Sequence, residues 1–302
     1  FNPNKGYKTI FIPYFLDKFI RYNRFIKRVV SKVFTKLYRT NFRDIPLSLL
    51  SNMENIGISA YDDDYPFETV FSKNNIKRYI HTNYGSDSNA FNIMCKDLED
   101  DSKPKHYFLA MAEFDHIMHK YGMKSDEYYA EIKNVDDKLS KLWGILEKRN
   151  NSPELLLISD HGMTPVSKGI KFNIEKTISG YQKDYFYFID ATMARIWILN
   201  DKKVDQINDW LVDSDMPGKI LDEKTRKRWG ITSKRFGDII FLLDDGKMFI
   251  PNFIGDLGCK AMHGYLPTHK TQLGIIASTK ELNNKEVVLA NDVYATLESF
   301  LD

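Results

Sequence analysis

Apolar residues between Tyr14 and Tyr38 fall in pairs mostly three to four positions apart, among them Phe15/Leu16, Phe19/Ile20, Phe25/Ile26, Val29/Val30 and Val33/Phe34, and this period predicts a helix. The opposite face is basic. Lys18, Arg21, Arg24, Lys27, Arg28, Lys32, Lys36 and Arg39 follow one another with no acidic residue between them. Such a helix either packs on a domain with a solvated charged face or lies on an anionic membrane surface, so peripheral membrane contact through 14–39 is one expectation. From Asp44 to Phe71 the pattern is turn-rich and irregular, with the acidic run Asp62-Asp63-Asp64.

Strands and helices then alternate. Lys77–Thr82 reads as a strand, Asn89–Leu98 as a short helix and His106–Met111 as a buried-type strand. Ser125–Arg149 reads as a long helix with Ser125 as N-cap, Asp126 and Glu127 in the first turn, and a stripe of Tyr128, Ile132, Val135, Leu139, Leu142, Trp143 and Leu146. Leu155–Ser159 is a further apolar strand. Apolar strands separated by helices predict an α/β fold, a mostly parallel sheet sandwiched by helices, with ligands beyond the carboxyl ends of the strands.

The character changes after Asp184. Tyr185–Leu199 is aromatic and β-branched, Val204–Val212 is helical, and 237–251 reads as strand, Asp244-Asp245-Gly246 turn and strand, that is, a hairpin. Gln272–Ala277 returns as a strand and Asn291–Leu301 as a closing helix. The expected organisation is therefore 1–183 core, 184–253 inserted smaller subdomain and 254–302 return to the core.

Composition adds little to this picture. The 302 residues are 43% hydrophobic and 28% charged, with a net charge of +2 that offers no case for a nucleic acid duplex as partner. No apolar run approaches the roughly 18 residues that span a bilayer. The two cysteines, Cys95 and Cys259, suit free thiols in a reducing compartment, which points to the cytoplasm.

Three segments place metal-ligand residue types just past a predicted strand end. They are Glu113-Phe114-Asp115-His116-Ile117-Met118-His119-Lys120-Tyr121-Gly122, Ser159-Asp160-His161-Gly162-Met163 and His263-Gly264-Tyr265. Carboxylate oxygen and neutral imidazole are ligands that Zn²⁺ and related divalent ions accept. Each segment alone also reads as an ordinary turn, Asp-His-Gly as an Asx-type cap. His116 competes with His119, while His81, His106 and His269 read as structural histidines and Lys168 as a solvated loop lysine.

In order and spacing, Asp115-x3-His119-x2-Gly122, then Ser159-Asp160-His161-Gly162-Met163, then His263-Gly264-Tyr265 resemble the type I phosphodiesterase/nucleotide pyrophosphatase family of the alkaline phosphatase superfamily. The similarity runs from about Ser72 to the C-terminus. It implies an alkaline-phosphatase-like fold and two divalent metal ions, expected to be Zn²⁺. Asp115, His119 and His263 resemble the ligands of one ion, and Asp160 and His161 those of the second. The resemblance also implies a first-strand Asp and a nucleophilic Thr or Ser, which match no segment of this sequence and are expected upstream of it, so that this chain alone is expected to be inactive. The implied activity is hydrolysis of phosphodiester or pyrophosphate bonds in small nucleotide or nucleotide-sugar substrates. A phosphomonoesterase or phosphotransferase of the same superfamily, or an inactive metal-binding relative, would use the same ligands. Arg195 and Arg235, in polar stretches of the insertion, are candidates for substrate binding through charge-assisted bonds, and each reads equally as a structural ion pair.

Overall fold

The computed structural model describes residues 68–100, 106–149, 152–253, 258–282 and 290–301. The basic helix expected between Tyr14 and Arg39 lies outside the described residues. Among them, two compact units are found, one built from Thr164–Gln272 and the other from 68–163 with 273–301. No helix among the described residues is long and apolar enough to cross a membrane.

In the second unit, strand β1 (Ile76–Ile80) is followed by the short helices α2 (His81–Tyr84) and α3 (Asp87–Leu98), the brief α1 (Val70–Lys73) preceding them. β2 (His106–Ala110) pairs with β1 in parallel, Ile76 opposite His106 and Ile80 opposite Ala110. Helices α4 (Glu113–Tyr121) and α5 (Asp126–Leu146) follow. Ser125 caps α5 as its sequence predicts, its hydroxyl accepting from the backbone N–H of Tyr128. The apolar faces of β1, α3 and α5 meet in one cluster around Tyr79, Phe91, Met94, Leu98, Leu142 and Leu146. β3 (Leu156–Ile158) pairs antiparallel with β12 (Ile276–Ser278), and α8 (Val293–Leu301) ends the unit.

In the first unit, the two-residue β4 (Thr164–Pro165) pairs with β11 (Ala261–Met262), and β5 (Lys168–Ile170) with β10 (Lys247–Phe249) in parallel. β6 (Tyr185–Ile189), β7 (Met193–Ile198), β8 (Gly218–Ile220) and β9 (Ile239–Leu243) form an antiparallel sheet in the order β6-β7-β9-β8, with α6 (Val204–Asp213) and α7 (Glu223–Arg228) in the connections. β9 is apolar throughout because both faces are covered. Ile239, Phe241 and Leu243 enter the large cluster with Phe186, Trp197 and Phe249, whereas Ile240 and Leu242 pack with Leu221 in a smaller one.

The hairpin expected over 237–251 does not form. The turn at Asp244–Gly246 is present, but both edges of β9 are already taken by β7 and β8, so the chain passes on and β10 pairs with β5 instead. The hairpin in this region is β6–β7, with Phe186 opposite Trp197 and their rings stacked 5.1 Å apart.

Candidate functional site

Asp115 and His119 lie on α4, which is separated from the carboxyl end of β2 by two residues. Four residues apart, they project from the same face, and Nε2 of His119 stands 3.3 Å from Oδ2 of Asp115. His116 is exposed and belongs to a different face of the helix. The helix stops at Gly122, whose φ of +88° is left-handed.

The start of α4 is held from outside. Its N-cap, Ala112, has no side chain that can accept a hydrogen bond. Oδ2 of the buried Asp87, in the first turn of α3, accepts from the backbone N–H of both Ala112 and Glu113 at 2.7 Å. Oε1 of Glu113 accepts in return from the backbone N–H of Asp87 at 3.3 Å. A buried carboxylate at the positive end of a helix is stabilised by the helix dipole as well as by its two bonds. The residue-by-residue reading of the sequence did not single out Asp87. The available signal was a helix beginning on an alanine, whose open N–H groups must find an acceptor elsewhere.

Asp160 and His161 follow β3, in a loop anchored to the strand beside it by the Ser159 N–H to the Ile275 carbonyl (3.0 Å) and the Ile275 N–H to Ser159 Oγ (2.8 Å). The His161 N–H donates to Asp160 Oδ1 at 3.0 Å, and Nε2 of His161 lies 3.4 Å from Asp160 Oδ2. Nδ1 of His161 is 2.9 Å from the Gly162 carbonyl. A carbonyl only accepts, so the neutral ring carries its proton on Nδ1 and its lone pair on Nε2, beside the carboxylate.

Both pairs pass a geometric test for a divalent ion. Two ligand atoms each about 2.0–2.1 Å from a tetrahedral ion are themselves about 3.3–3.4 Å apart. Asp115/His119 at 3.3 Å and Asp160/His161 at 3.4 Å match that separation. The imidazole and carboxylate donors also suit zinc chemically.

His263 belongs to the other unit, directly after β11, and is partly buried. Gly264 follows it with φ +85°, and a Cβ there would approach Thr192 Oγ1 to 3.2 Å. Of the two arginines, Arg195 on β7 pairs with Asp190 at 3.0 Å and lies over the rings of Phe188 and Trp197. Burial pushes the Asp190 carboxyl above its ordinary value, against the opposing pull of the Arg195 guanidinium. Arg235 is exposed in the 3-10 turn Lys234–Phe236. Among the structurally read histidines, His106 lies on β2, His81 opens α2 and His269 pairs with Asp245. Lys168 is exposed but lies on β5 rather than in a loop.

The fold places the chain in a class before any finer assignment. It shares its α/β architecture with murine ectonucleotide pyrophosphatase/phosphodiesterase 5 (TM-score 0.58, 23% identity, covering 72% of this chain and 59% of that one). It also resembles the phosphonoacetate hydrolase of Sinorhizobium meliloti 1021, solved with phosphonoformate (TM-score 0.52, 18% identity, covering 70% and 53%). At these identities the likeness is one of fold, an α/β fold. Residues 35–266 match the family described as Type I phosphodiesterase / nucleotide pyrophosphatase, and the chain belongs to that family of metal-dependent hydrolases. It spans about three fifths of the length of the murine protein it matches.

Proposed function

We propose that the protein hydrolyses a phosphodiester or pyrophosphate bond in a nucleotide-type small molecule. In this reading Asp115, His119 and His263 hold one divalent ion and Asp160 and His161 a second, both zinc. Each of the three residues in the first set offers one carboxylate oxygen or imidazole nitrogen of the required type. The observation that carries the reading is the presence, past two strand ends, of two Asp/His pairs with donor atoms 3.3 and 3.4 Å apart, in a chain of this family. The substrate class is supported by a structure of an inactive variant of the murine relative in complex with AMP.

Bound divalent cations would supply the positive charge that stabilises attacking and leaving oxygens in displacement at phosphorus. This chain's own residues orient the donors. Asp87 fixes the start of α4 and so the direction of Asp115 and His119, and the Gly162 carbonyl sets the tautomer of His161. Arg235, exposed in its turn, is proposed to meet the anionic substrate. Arg195 is engaged by Asp190, and a substrate role for it requires that pair to open.

The test compares hydrolysis of a nitrophenyl phosphodiester by the zinc-loaded full-length protein with that by its Asp160→Ala and His263→Ala variants. Each variant is expected to lose at least about tenfold in kcat/KM, the lower end of what disturbing a metal's surroundings costs. Activity equal to the full-length parent in both variants would contradict the ligand assignment, and absence of activity in the full-length parent would favour a metal-binding relative without catalysis.

A further inference from the structure

The loop carrying His263 is tied down by side chains from several segments of its own unit. Oε1 of Gln272 accepts from the backbone N–H of Gly264 at 2.8 Å and of Tyr265 at 3.1 Å. The hydroxyl of Thr192 donates to the Gly264 carbonyl at 2.7 Å, and the Tyr265 hydroxyl to the Lys247 carbonyl at 2.9 Å. Both polar groups of the Gly264 backbone are therefore bonded to side chains, directly after His263.

Gln272 has no freedom to turn its amide round. Backbone N–H groups only donate, so the amide oxygen must face Gly264 and Tyr265. The amide nitrogen then points to Thr164 Oγ1, to which it donates at 2.8 Å. Thr164 Oγ1 bonds in turn with Thr271 Oγ1, Thr271 Oγ1 lies 2.8 Å from His269 Nδ1, and His269 Nε2 lies 2.6 Å from Asp245 Oδ2. Asp245, as a carboxylate, accepts only. With a neutral His269 the polarity of the chain is thus consistent at each step: Nε2–H to the carboxylate, Thr271 to Nδ1, Thr164 to Thr271, and the amide of Gln272 to Thr164. Gln272 is buried, so a flipped amide would leave two backbone donors facing an NH₂ with little water to relieve them.

We infer that Gln272 is a positioning residue for His263: its amide fixes the two peptide N–H groups that follow the histidine, and with them the direction in which the imidazole is presented. The inference rests on His263 being a metal ligand, as proposed above. A ligand whose backbone can wander loses affinity in the same way as one whose ring lacks its supporting hydrogen bond.

The test is a double-mutant cycle on zinc affinity, measured on the whole protein by competition with a chromophoric chelator, with the thermal midpoint of the metal-free protein recorded alongside. Gln272→Met, similar in size but without acceptor or donor, is expected to weaken zinc binding about tenfold. Gln272→Glu keeps acceptors for both N–H groups; Thr164 then turns its hydroxyl to the new carboxylate, Thr271 turns its own to Thr164, and His269, taking a second proton, donates from Nδ1 to Thr271, so this variant should bind within about threefold of the parent. In a His263→Ala background, Gln272→Met should change zinc affinity no further, because the ligand it positions is gone. Should Gln272→Met fail to fold, Thr164→Val, which strips the amide of its orienting acceptor, takes its place with the same expected non-additivity. If His263→Ala weakens binding but Gln272→Met does not, the positioning role is overturned while the ligand assignment stands. The role is also overturned if Gln272→Met weakens binding equally in both backgrounds, as general loosening would. Parent-like affinity in His263→Ala itself would refute the ligand assignment and the inference with it.

Discussion

Asp87 shows how a side chain outside a motif can decide whether the motif works. Its carboxylate is the N-terminal cap of the helix bearing Asp115 and His119, although it comes from a different helix about 25 residues earlier in the chain. Asp87→Ala removes an acceptor from two N–H groups at once and is expected to destabilise the protein by about 2 kcal/mol. Urea denaturation of the metal-free protein measures this, and a change below about 0.5 kcal/mol, the smallest usual value of a helix cap, would show that water replaces the carboxylate. The motif residues themselves were legible because Asp and His with that spacing have few other reasons to recur past strand ends. Asp87 and Gln272 were not, because a cap and an amide bridge depend on which backbone groups come to lie opposite them, and that is set by tertiary packing. His263 is readable as a ligand candidate from its motif, whereas the two N–H bonds that fix the residues after it are not.

Among the elements between Ile76 and Ile158, five read well from sequence, whereas the helices α2 and α4 were not anticipated. β1, α3, β2, α5 and β3 fall within a few residues of where periodicity and caps put them, because their signals are local: Ser125 at an N-cap, an α5 stripe at helical spacing, and short apolar runs. Strand pairing between Tyr185 and Phe249 was not legible. Ile239–Leu243 looks like one arm of a hairpin with the segment after Asp244-Asp245-Gly246, yet its partners are β7 and β8. A run apolar on both faces announces a central strand but not which neighbours flank it. One of those neighbours tolerates no side chain: a Cβ on Gly218 would run into the Leu242 carbonyl and the ring of Phe241. Gly218→Ala is therefore expected to push β8 off the edge of β9 at a cost of about 1–3 kcal/mol, the usual range for overpacking. A thermal midpoint unchanged from the parent would show that this edge yields without loss.

At the scale of the whole molecule, the α/β class followed from the alternation of apolar strands and helices, and family membership follows from the match over 35–266. The three motifs were the readable core of the site because each sits where a strand hands the chain to a loop or a helix. That these motifs hold two metal ions is the central claim, and bound zinc is directly visible to X-rays. A crystal of the protein grown with Zn²⁺ and measured at the zinc absorption edge should give two anomalous peaks. One is expected about 2.0–2.2 Å from the side chains of Asp115, His119 and His263, the other at the same distance from Asp160 and His161. Zinc-loaded crystals with no anomalous density at either pair would contradict the account.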